Sequence, residues 1–155
     1  MAVRTTVSSY TGKRAELSYP PLLTCRAYLM PIDYIIGNGR VLTTGQGVVT
    51  FEEIYQMALC QRKDPAFRGH FDELLDLTQI EALQLSEAEL QRIAAVSPFG
   101  NGSRRAIAVT QDLHYGLSRM YEAFQESQGA KMRVFRSLPA ALAWLDGSEA
   151  DSEVL

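Results

Sequence analysis

The sequence predicts an α/β domain on a mixed sheet of about five strands, in the order β-β-α-β-α-β-α-β-α, with the first strand antiparallel. Three observations predict it. Short apolar segments alternate with longer segments of helical periodicity. Two of the helical segments open on capping boxes, Thr50-Phe51-Glu52-Glu53 and Ser86-Glu87-Ala88-Glu89, in which a hydroxyl and a Glu three residues on satisfy orphan amides. Strands that alternate with helices imply parallel neighbours joined by right-handed crossovers.

The elements follow in order. Ile32 to Ile36 reads as a strand, and Gly37-Asn38-Gly39 as a tight turn, because Asn and Gly accept positive φ at low cost. Arg40 to Val49 reads as the second strand of that hairpin. The helix begun at Thr50 carries Phe51, Ile54, Tyr55, Ala58 and Leu59 on one face and ends at Asp64-Pro65. Glu73 to Leu77 is a short strand. The Ser86 helix uses Leu90, Ile93 and Ala94 and stops near Pro98. Phe99 to Ser103 is a Gly-rich linker. It precedes a strand, whereas phosphate-binding loops follow one.

Arg105 to Thr110 contains a continuous apolar run suited to a central strand. Asp112 is the expected N-cap of the third helix, with Leu113, Leu117, Met120, Tyr121 and Phe124 as its inward stripe and Gly129 as its stop. Met132 to Arg136 is the last strand. Ser137-Leu138-Pro139 opens the final helix, where Pro in the first turn removes no bonded N–H. Phe135 and Trp144 of this last unit are expected to be buried. If the strands lie side by side in chain order, every crossover helix falls on one face, and side chains alone protect the other.

The 155 residues are 46% hydrophobic, which suits a single core, and the expected domain spans residues 31–147. Residues 1–30 lack a regular pattern and read as an N-terminal extension or an artefact of the start site. Residues 148–155 form an acidic tail. The net charge of −3 gives no concentrated positive field for nucleic acid or anionic lipid. No apolar run approaches the roughly 20 residues of a membrane-spanning helix. Cys25 and Cys60 form no CxxC and lie at no metal-ligand spacing from His70 or His114, so a cytoplasmic location and no metal are expected.

Four segments on these elements, Leu74 to Thr78, Arg105 to Val109, Tyr115 to Tyr121, and Val134 to Leu138 with Ala141 to Leu145, resemble the SpoIIAA-like group of bacterial proteins, the STAS/SEC14-type small domains. The resemblance covers about residues 31–146. It implies a four- or five-stranded sheet with helices, and a binding or regulatory role rather than catalysis. Sporulation-type members carry a phosphorylated Ser in an Asp-Ser-Ser-Gly-like segment after the third strand. Here that region reads Ile80 to Ser86, and Ser86 is better explained as a helix cap, which disfavours a kinase-switched role.

No GxSxG elbow, HExxH or Walker loop is present, and no cofactor is expected. The candidate site is the rim where parallel strands end and the third helix begins, because open α/β sheets bind ligands there. Its residues are Asp76, Asp112, His114, Tyr115 and Arg119. One cation, two rings and two acids suit a ligand with a polar head and an apolar body. The leading expectation is a non-enzymatic STAS-like domain that binds a protein partner or a small amphipathic ligand. The alternatives are a small enzyme acting near Asp76, Asp112 and His114, and a structural module that dimerises through the bare sheet face.

Overall fold

A tight hairpin begins the sheet. β1 (Ile32–Gly37) and β2 (Arg40–Thr50) pair antiparallel, and the pair Gly37 and Arg40 closes the turn. Asn38 and Gly39 hold φ of 54° and 74°, the two left-handed positions of a type I′ turn. This computed structural model describes residues 31–147; the expectations for residues 1–30 and for the acidic tail fall outside the described residues.

β3 (Asp72–Gln84), β4 (Arg104–Ala108) and β5 (Lys131–Phe135) add in parallel, giving the order β1-β2-β3-β4-β5. β3 is longer than the segment Glu73 to Leu77 that apolar density marks out. Beyond Asp76 it leaves β4 and continues along β2, so that Gln79 to Gln84 pair with Gln46 to Thr50 across two register shifts. Gly47, at φ 66°, supplies the left-handed residue at the second shift. Gly45 is needed for close approach, because a Cβ there would stand 3.0 Å from side-chain atoms of Ile80 and Leu77.

α1 (Phe51–Lys63), α2 (Glu87–Val96) and α3 (Asp112–Glu126) are the crossovers between the parallel strands. Right-handed connections in chain order place all three on one face. Both capping boxes form: the Thr50 N–H donates to Glu53 Oε2 at 2.8 Å, and the Ser86 N–H to Glu89 Oε2 at 2.8 Å. Gln111, not Asp112, is the N-cap of α3, and its amide donates to the Ile80 carbonyl. Asp112 is the first helical residue.

The second face is not bare. α4 (Leu138–Leu145) follows β5 and packs on β3, β4 and β5. Leu74, Ala106, Ala108, Phe135, Ala141 and Leu145 form its buried cluster. The sequence pattern gives no crossover helix to this face, because α4 follows the last strand and is free to turn either way. Phe135 is buried as expected, but Trp144 is only half-buried. It lies on the flank of α4 under the Arg104 guanidinium, 4.3 Å from the ring centre. That guanidinium also donates to the Trp144 carbonyl at the end of α4.

Candidate functional site

Residues alternate between the two faces along each strand. Glu73, Leu75 and Leu77 therefore face α1–α3, and Leu74 and Asp76 face the α4 side. The same alternation sends Arg105 and Ile107 of β4 toward α1–α3. Glu73 and Arg105 are register partners on neighbouring strands, and both are buried. The Arg105 Nε donates to Glu73 Oε2 at 2.8 Å, and Nη2 lies 2.7 Å from the same oxygen. Thr43 of β2 donates its hydroxyl to Glu73 Oε1 at 2.8 Å.

The helices supply the remaining partners of this ion pair. Arg105 Nη1 donates to Ser97 Oγ and to Gln125 Oε1, and Nη2 reaches the Tyr121 hydroxyl at 3.4 Å. Phe99 stacks on the guanidinium, 4.4 Å from its ring centre. Burial alone pulls the Arg105 pKa down, but Tyr121 and then Glu73 outweigh it, and the group is held above its ordinary value. The guanidinium is therefore a fixed charge, not a proton donor.

This polar cluster forms one end of a cavity of about 60 Å³ between the helices and the sheet, open on one side. Ile54, Met57, Ala58 and Gln61 of α1 form one wall. Leu90 and Ile93 of α2, and Leu117, Ser118 and Tyr121 of α3, form others. Ile32, Leu75, Leu77 and Ile107 make the floor. The walls are apolar except at the Arg105 end, at Gln61 and at Ser118. Gln61 is 2% exposed, and among the described residues its Nε2 has no hydrogen-bond partner.

The five residues expected at the strand-end rim divide into separate groups. Asp112 is exposed and paired with Arg136, whose guanidinium lies 4.0 Å from the centre of the half-buried Tyr115 ring. Arg119 is exposed but bonded to Glu122, 2.7 Å away on the same helix. Asp76 is buried, and its Oδ1 accepts from the N–H and the hydroxyl of Thr78. His114 is buried on the α3 side, and burial lowers its pKa. Asp76 and His114 thus belong to opposite sides of the sheet. The structure joins Asp112 to Tyr115, through Arg136, and none of the five lines the cavity described above.

Of the apolar stripe expected on α3, Tyr121 is buried and Leu117, Met120 and Phe124 pack partly buried against the core, while Leu113 is 71% exposed. The polar residues His114, Ser118, Glu122 and Gln125 are buried as well. The helix packs on a charged pair, so its inner face carries groups that bond: Gln125 accepts from Arg105 and donates to the Ala94 carbonyl, and Glu122 accepts from the Val134 N–H. Burial raises the Glu122 pKa, against the pull of Arg119. Sequence reasoning missed Glu73, Arg105, Gln61 and Gln125. The available signal was a Glu and an Arg each leading an apolar strand at matching positions. Among the described residues, no group of three or more His, Cys, Asp or Glu side chains is placed to hold a metal ion, and no helix is long and apolar enough to cross a membrane.

No protein-family model matches the chain, and no curated protein matches it. Among solved structures it is similar to an uncharacterized protein of the DUF3478 family from Shewanella loihica PV-4, described as having a SpoIIAA-like fold. The two share 19% identity with a TM-score of 0.50, over 74% of this chain and 91% of the other. The fold is SpoIIAA-like. The antiparallel β1, the parallel β2–β5 and the four helices match what the SpoIIAA-like resemblance implies. The region where sporulation-type members place a phosphorylated Ser is here the second half of β3. Ser86 beyond it is the α2 cap, with its Oγ accepting from the Glu89 N–H at 3.2 Å.

Proposed function

We propose that this protein is a non-enzymatic binding domain that holds a small amphipathic molecule between α1–α3 and the sheet. One observation carries the reading: the cavity has apolar walls, a polar end and an open side. Ligand pockets share that design, in which apolar lining provides affinity and a few placed polar groups fix orientation. The polar groups around Arg105 are tied up in bonds to one another, and Arg105 stays charged, which suits recognition better than proton transfer. Native mass spectrometry of the full-length protein, purified from its own host, tests this. The expected result is a non-covalent small-molecule adduct that is lost on denaturation. A bare protein that also takes up no xenon in the cavity would contradict it.

A second reading rests on Leu113, which stands 71% exposed beside the Asp112–Arg136 pair. With Tyr115 and Arg119 this patch would contact a protein partner. If that partner is a second copy of the chain, sedimentation equilibrium shows a dimer that Leu113→Glu abolishes. A monomer at every concentration would remove that form of the reading.

A further inference from the structure

We propose that the cavity selects an uncharged oxygen-bearing head group, a carbonyl, ester or alcohol, held by the Gln61 amide, and rejects carboxylates and ammonium ions. The proposal rests on the ligand-binding reading above and adds the chemistry of the head. Arg105 looks at first like an anion receptor, but its five N–H donors are already placed. Nε and one Nη2 hydrogen go to Glu73, the other Nη2 hydrogen to Tyr121, and the Nη1 pair to Ser97 and Gln125. Its charge is balanced by Glu73 in direct contact. Glu73 is nearly as occupied: Oε2 accepts twice from Arg105 and Oε1 once from Thr43, which leaves a single lone pair on Oε1.

An incoming carboxylate would therefore find no free guanidinium donor, and the Glu73 charge would stand against it. An ammonium would find only the remaining lone pair of Glu73 Oε1, on a carboxylate whose charge Arg105 already balances, and a guanidinium beside it. Either ion would lose its hydration in an apolar enclosure without a full set of partners.

Gln61 offers the opposite situation. Its side chain lines the cavity, is 2% exposed and carries an Nε2 with no acceptor among the described residues. Ser97 lines the same space and uses its Oγ as an acceptor for Arg105, which leaves its hydroxyl proton to donate. Neutral donors on the lining call for a neutral acceptor. A cavity of about 150 Å³ takes a benzene ring. The 60 Å³ here encloses the head and first carbons, and a longer apolar tail leaves by the open side.

The test titrates four probes of equal chain length into the full-length protein at pH 7: 2-butanone, 1-butanol, butyrate and butylammonium. Methyl NMR shifts at Ile54, Ile93 and Leu117 report occupancy. The ketone and the alcohol are expected to bind at least about tenfold more tightly than either ion. Gln61→Leu should stay folded, since it removes an unpaired buried amide, and should weaken 2-butanone about tenfold. Butyrate binding as tightly as 2-butanone, or Gln61→Leu binding it undiminished, overturns the head-group assignment and leaves the cavity reading standing. If no probe shifts these methyls and xenon does not either, the cavity reading itself has failed.

Discussion

The two faces of the sheet solve the same packing problem in different ways. Under α4, Ala106 and Ala108 of β4 and Ala141 of the helix are fully buried, Leu74, Phe135 and Leu145 complete the apolar cluster, and the buried carboxylate of this side, Asp76, is bonded to Thr78 on its own strand. Under α1–α3 the same two central strands present Glu73 and Arg105, and three helices meet around a cavity. Small residues let α4 settle close to the strands. On the other face the ion pair needs bonding partners from three directions, so helices carrying Ser97, Tyr121 and Gln125 cannot close down as apolar ridges would. The difference separates a face that stabilises from a face that can receive a ligand.

Making the two faces alike should have the largest effect. Glu73→Ala strands Arg105 in the interior and is expected to cost about 3–5 kcal/mol in urea unfolding. Glu73→Leu with Arg105→Met should recover most of that loss, because a well-packed apolar pair avoids the desolvation of both charges. A single-variant cost below about 1 kcal/mol would mean that the pair is solvated. On the α4 face, Phe135→Ala is expected to cost about 3–5 kcal/mol. Trp144→Ala should cost less than Phe135→Ala, since the indole is only half-buried; equal costs would place the indole in the core.

His114 provides a smaller contrast, because the α4 face has no buried histidine. Its pKa is lowered from 6.5 by burial. The unfolded chain therefore takes up the proton more readily, and stability present above pH 6.5 is lost as pH falls through the folded value. Glu122 works in the opposite sense: its raised pKa gives stability present below its ordinary value of 4.5 that is lost as pH rises through the folded value. The parent and His114→Gln both keep Glu122, so the difference between them isolates the imidazole. The variant is expected to lose less stability than the parent between pH 7 and pH 5, and parallel curves would contradict burial of a neutral ring. The smallest effect is expected at Leu113, where Leu113→Ser should stay within about 0.5 kcal/mol of the parent.

Local chemistry made most of the architecture readable. Asn38-Gly39, the two capping boxes, Ser137 with Pro139 and the apolar run after Arg105 each specify a local geometry that survives in the fold. The far half of β3 was not readable, because its order depends on pairing with β2 across two bulges in β3 itself and not on its own apolar density. The site was harder for a related reason. Asp112 and Arg119 look functional by type and position, yet Arg136 and Glu122 hold them at the surface. Glu73 and Arg105 look like strand-edge charges until the register sets them side by side. A buried cluster is made by pairing between strands, which no single segment encodes.

The contrast between the faces is tested most directly by methyl NMR during a 2-butanone titration of the full-length protein. The account predicts shifts at Ile54, Ile93 and Leu117 on the cavity face, and none at Leu74, Leu142 and Leu145 beneath α4. Equal shifts on both faces, or shifts confined to the α4 cluster, would contradict it.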